Sequence, residues 1–381
     1  MENIILLINF LVMIAFNMAH PVTPMMIQTL GLPDYMFGVF FSMMAISNFV
    51  MSPIWGKWSD QAGRKRYLAI GTILYGLSQF GFGLSTQVLP ILFFRALGGI
   101  GAACFSIVMI ATVSDVSSPE KRARNFAWYM ATYSLGAGIG SILGGYIGQQ
   151  NGYIASFVTQ GIYSIILGII IFITLKETNT NPREQKTLYL EHLKFTKSSI
   201  SLKGDIGVTI IVMALISLTT TAYNSSINFY IEAVLGLSST LNGTVTATSA
   251  VIALFMNILI TPYLAKKFSV YKSIKVITLI AGVSLVIGGA TTSPVIAGIL
   301  IFAFVSSSSM IVPMQQTIVT KIAAENYGEV MGIQGSAKAL GMIIGSLGAG
   351  FIFMIDPELP FIFAGISAIL AFYFLTRLKE S

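Results

Sequence analysis

Apolar runs of about 20 residues recur from one end of this chain to the other. A bilayer core about 30 Å thick is crossed by about 20 residues of helix, so each run is long enough to span it. A water-soluble core cannot bury so many. Hydrophobic residues make up 55% of the chain and charged residues only 10%. The pattern predicts an all-α membrane protein with twelve transmembrane helices, near 4–29, 36–56, 67–86, 89–113, 126–148, 153–175, 206–230, 241–264, 274–290, 294–318, 330–354 and 359–376. The first run lacks a small-residue cleavage site and reads as a retained helix. The single cysteine, Cys104, lies inside a run, which argues against a disulfide and against a metal cluster.

Charge placement orients the chain. When the loops after even-numbered spans and both termini are assigned to one side, every basic residue except Arg95 and Lys338 falls there. The opposite loops carry Asp34, Glu232, Asp356 and Glu358. The positive-inside rule then predicts cytoplasmic termini in a multi-pass protein of the cell membrane. This sorting accounts for the +7 net charge without a nucleic-acid partner.

The one long polar segment, Lys176 to Asp205, separates six spans from six. It predicts an N-terminal six-helix bundle over 1–175, a cytoplasmic linker over 176–205 and a C-terminal bundle over 206–381. The halves echo one another. "SLGAGIGSILGGYIG" from Ser134 matches "ALGMIIGSLGAGFIF" from Ala339, and "SPIWGKWSD" from Ser52 faces "TPYLAKKFS" from Thr261. Two pseudo-symmetric bundles with a site between them form a transporter architecture.

"GKWSDQAGRK", between spans 2 and 3, fits the loop signature of the major facilitator superfamily at Gly56, Asp60, Gly63, Arg64 and Lys65. "HPVTP" at His20–Pro24 and "RALGGIGAA" at Arg95–Ala103 are similar to motifs in that superfamily's spans 1 and 4. Gly136, Gly140, Gly144 and Gly145 resemble the span-5 antiporter signature, with Ser141 where a proline is usual. Over essentially its whole length the chain resembles that superfamily, and more narrowly its twelve-span drug:proton antiporters. Physically, Gly56 and Gly63 permit close approach and positive φ in a tight connection. The resemblance implies a gating latch in which Asp60 faces the N-terminal end of span 11 and Arg64 pairs with Asp115. It also implies a monomer that exchanges a small-molecule substrate for protons across the bilayer, with no cofactor and no metal.

Charged or polar residues inside spans are costly and mark candidate sites. Arg95 is about 10 Å inside span 4 and reads as a structural or coupling residue, or as a snorkelling one. Lys338 is about 12 Å into span 11, and either faces a cavity or snorkels. His20 has a side chain suited to proton exchange, though a lone intramembrane histidine often only bonds a neighbouring helix. No carboxylate lies mid-span. The cavity is therefore expected to be neutral to positive, with Asn224, Asn228, Ser308 and Gln315 as polar lining and Tyr133 and Tyr223 as aromatic walls. The leading function is proton-coupled efflux of small hydrophobic or amphipathic compounds by alternating access. The alternative is export or flipping of an anionic, zwitterionic or neutral metabolite, siderophore, sugar or lipid, with Lys338 as counter-charge. A channel or a membrane enzyme finds no selectivity-filter repeat and no catalytic cluster in the sequence.

Overall fold

The computed structural model describes residues 2–118, 121–179, 204–291, 293–322 and 327–378. Among these, eleven helices are long and apolar enough to cross a membrane. The longest, Arg122–Thr174, breaks at Gly152 (φ 80°, ψ 164°), making two crossings of one. Twelve crossings result: α1 (Glu2–Thr29), α2 (Met36–Ala62), α3 (Arg64–Leu84), α4 (Val88–Asp115), α5 (122–151), α6 (153–174), α7 (Gly204–Val234), α8 (Ser239–Lys267), α9 (Val270–Ala290), α10 (Pro294–Ile322), α11 (Tyr327–Phe353) and α12 (Leu359–Thr376). Most of the expected linker, 180–203, lies outside the described residues.

Glycine sets how closely the helices approach, and it does so twice over. On α5, Gly140 and Gly144 lie against the backbone of Ile14 and Met18 of α1, so tightly that a Cβ would collide. On α11, Gly345 and Gly341 lie in the same way against Leu218 and Ala214 of α7. Gly140 and Gly345 are 205 positions apart, as are Ser134 and Ala339 in the sequence match. The same offset governs the contact between the bundles. Gly243 of α8 rests on the Ser141 carbonyl of α5, and Gly38 of α2 rests on the Ser346 carbonyl of α11. Small residues let backbones meet where lipid offers no hydrophobic drive between helices. The fold is thus two pseudo-symmetric six-helix bundles.

These inter-bundle contacts lie on the side away from the chain termini. There the Ser42 and Ser346 hydroxyls hydrogen-bond at 2.5 Å, and Phe37 stacks on Phe229 with centroids 5.1 Å apart. Toward the face that carries the termini (the basic face) the bundles part. Met130 and Gly335, themselves 205 positions apart, continue the two contact stripes yet are exposed. The molecule is closed at the opposite face and open toward the basic one.

Candidate functional site

Helix α1 breaks after Asn17, becomes a 3-10 turn over His20–Val22, and resumes at Thr23. Pro21 and Pro24 lack the N–H groups that a continuous helix needs. Side chains from neighbouring helices serve carbonyls at the break. Gln160 Nε2 donates to Ala15 O at 2.6 Å, and the Tyr75 hydroxyl donates to Phe16 O at 3.0 Å. Irregular backbone at membrane depth survives where protein satisfies it in this way.

The break opens onto a cavity of about 350 Å³. Asn17, His20 and Phe41 line it from the first bundle, and residues of α7, α8 and α10 line it from the second. Among the expected residues, Tyr223, Asn224, Asn228 and Ser308 are on its wall. Tyr223 packs its ring 4.5 Å from that of Phe304, and Asn228 Oδ1 accepts a hydrogen bond from the Thr246 hydroxyl at 3.3 Å. No carboxylate lines this cavity among the described residues. Its chemistry is aromatic faces with neutral donors and acceptors, suited to an amphipathic molecule.

Gln315 does not belong there. It is buried, and its Nε2 donates to Thr209 O at 2.7 Å, tying α10 to α7 about two turns beyond Ser308. Sequence places Gln315 on the same helical face as Ser308, but the convergence of α7 and α10 covers it. Asn17 and Phe41 were missed as lining residues. The signal for Asn17 was available, because it immediately precedes the proline-containing break.

His20 stacks on Phe41 with centroids 5.6 Å apart. Arg95 lies against the same ring at 5.7 Å and against Phe82 at 4.9 Å. It is buried, its Nε donates to Phe40 O at 3.2 Å, and one terminal nitrogen has no partner among the described residues. Arg95 is therefore not on the cavity wall but packs against Phe41, which is, and which His20 stacks on.

Tyr133 and Lys338 stand outside the central cavity lining, in the cleft that opens toward the basic face. They too are 205 positions apart. On α11 the lipid side is marked by exposed Leu340, Ile344 and Phe351. At 100° per residue Lys338 lies about 200° around the helix from Leu340, on the interior side. It is exposed there beside Gly335.

Between α2 and α3, Arg64 gathers the expected acids. Its Nη1 meets Asp60 Oδ1 at 2.5 Å and also donates to Ser59 Oγ at 2.8 Å, while Nε donates to Asp115 Oδ2 at 3.0 Å. Gly63 has φ 94°, which only glycine adopts freely. Gly56 differs from expectation: it is inside α2, and a Cβ would meet only Ile107, at an ordinary 3.6 Å. Helix α2 runs through the motif to Ala62, so the turn needs one glycine, not two. Sequence reading missed Glu177. Its carboxylate accepts from the N–H groups of Arg64 (2.8 Å) and Lys65 (3.2 Å), capping the start of α3. Asn179 Nδ2 donates to Asp60 O at 2.8 Å. All of these partners belong to the first bundle or to the chain just beyond it.

A family model described as Major Facilitator Superfamily matches residues 5–346, with a second match over 209–381. The chain belongs to the Major Facilitator Superfamily. It is a multi-pass membrane transporter, not an enzyme. It is 25% identical to Multidrug resistance protein 2 of Bacillus subtilis (strain 168), over 95% of this chain and 91% of that one. It is 24% identical to Quinolone resistance protein NorA of Staphylococcus aureus (strain MSSA476), over 94% and 91%. A bacterial homolog of the human lysosomal transporter Spinster, in its inward-facing and unoccupied conformation, shares the fold with a TM-score of 0.80 at 16% identity, over 99% and 96%. The departure of this superfamily member at Ser141 has a local use. Its hydroxyl makes a long bond, 3.5 Å, to Asn17 O, the carbonyl whose helical partner would have been Pro21.

Proposed function

We propose that this transporter is a secondary active exporter in the cell membrane, with cytoplasmic termini. It moves small hydrophobic or amphipathic compounds by alternating access in exchange for protons. One observation carries the reading: an aromatic and neutral-polar cavity is lined from both bundles, which pack together toward one face and part toward the basic one. The multidrug and quinolone resistance relatives support efflux. Protons act through the His20–Phe41–Arg95 group beside the cavity. The Asp60–Arg64–Asp115 network biases which face is open. The protein works as a monomer. Reconstituted vesicles under an imposed pH gradient test this: accumulation of a lipophilic dye that collapses with the gradient is expected, and gradient-independent leakage would refute it.

A second reading rests on Lys338. An exposed ammonium on the interior side of α11, with no carboxylate on the cavity wall among the described residues, favours a substrate bearing a negative group. In the same vesicles, an anionic solute that moves in wild type and stalls in Lys338→Ala favours this reading. Equal transport of a cation by both proteins excludes it.

A further inference from the structure

The closed gate holds a carboxylate that the cavity does not use. Helix α7 ends in a π-helical turn, Tyr230–Val234, which carries Glu232. Glu232 Oε1 accepts from the Ser239 hydroxyl at 2.9 Å. Its Oε2 is buried and has no hydrogen-bond partner among the described residues. The Asn242 side chain, fully buried, lies beside this carboxyl. Asn242 Nδ2 donates to Pro21 O at 3.3 Å and to Asn228 O at 3.0 Å. Both of those acceptors are carbonyl oxygens, so the amide orientation is fixed and its two hydrogens are used. Asn242 Oδ1 is then left buried with no donor.

A buried carboxylate oxygen without a donor is costly, and a proton on the carboxyl removes that cost. The surroundings bring no cation to do so among the described residues. The first turns of α8 offer Ser239, Thr240 and Asn242, and the resumed segment of α1 has no titratable group. His20 faces Phe41, and Tyr230 faces Glu358 and Asp356 at the start of α12.

We propose that Glu232 and Asn242 form a proton-binding site in the gate, occupied when that gate is shut. The bond from Asn242 to Pro21 O crosses between the bundles, and the Ser239 carbonyl lies against Gly145 of α5. The proton therefore bears on the seam itself. Protonated, Glu232 leaves the Asn242 amide free to bridge to Pro21. Ionised, it competes for that amide's N–H and loosens the bridge. This inference rests on the alternating-access reading, with the proton taken up from the face opposite the termini.

Spin labels at Gln150 and Leu237, in a Cys104→Ser background, report the separation of the bundles across the gate. Wild type is expected to be closed at mildly acidic pH and to open as pH rises, while Glu232→Gln stays closed throughout. Ser239→Ala keeps the carboxyl but removes the hydroxyl that donates to its Oε1, so opening shifts to a pH about one unit higher. A wild-type separation that ignores pH, or a Glu232→Gln protein that titrates like wild type, overturns the proposal. Vesicle transport by the same preparations separates the two readings. Normal proton-driven transport by Glu232→Gln sinks the site and leaves antiport standing. Gate movement that titrates through Glu232 without gradient-driven transport sustains the site and sinks antiport.

Discussion

Shifted by 205 positions, the first bundle lands on the second at the backbone: Gly38 on Gly243, Ser141 on Ser346, Gly140 on Gly345. The side chains carried by that shared frame differ. The first bundle holds the buried Arg95 and the Arg64 ion pairs. The matching positions of the second are uncharged: Leu300 for Arg95, and, in the register of the Ser52–Thr261 match, Ser269 for Asp60 and Ser273 for Arg64. Conversely, most of the cavity wall comes from the second bundle, and Lys338 stands where the first has Tyr133. The comparison teaches that the glycine contacts must be kept in both copies because they set how the bundles meet. The ionic and ligand-facing chemistry needs only one copy.

Breaking the shared frame should have the largest effect. Gly144→Val drives a branched side chain into the Met18 backbone and is expected to destabilise the protein by about 3 kcal/mol or more. A thermal melt in detergent would show this, with Gly335→Ala, where a Cβ meets nothing within 4 Å, nearly unchanged. Next comes the ionic asymmetry. Arg64→Ala strands Asp60 and Asp115 and should cost about 2 kcal/mol, about thirtyfold in transport rate. If Arg64→Ala transports as wild type does, the first bundle's charges serve only orientation.

Exchanging the pseudo-equivalent pair sharpens the comparison further. On the reading that Lys338 favours a negative group, Tyr133→Lys combined with Lys338→Tyr moves the cleft's cation to the other bundle, and competition assays should keep a preference for anionic over cationic solutes. Lys338→Tyr alone should lose that preference by about tenfold, as expected for one partly solvated ion pair. The smallest effect is expected at the helix start. Glu177→Gln weakens the charge on the α3 N-terminus and should lower stability by about 0.5–1 kcal/mol, read as a lower melting temperature.

The candidate site was only partly legible in the sequence. Asn224, Asn228 and Ser308 were readable because polar groups in spans are few and costly. Gln315 was equally polar, but a backbone carbonyl of α7 claims it. Glu177 was hidden because it is 113 residues from Arg64, and nothing local announces the contact. The Glu232–Asn242 pair was hidden because sequence shows Glu232 only as a loop acid, and the packing of the last turn of α7 on the start of α8 brings the two side by side.

The sequence by itself determined the crossings, the sorting of charge to one face and the internal repeat. Those follow from transfer free energy and local spacing, which a linear string carries. Only the tertiary structure decided which polar side chains face the cavity, which face of the molecule is shut, and which buried acceptors lack a donor. Those depend on the rotation of each helix about its axis and on contacts between residues far apart in the chain, to which hydropathy is blind.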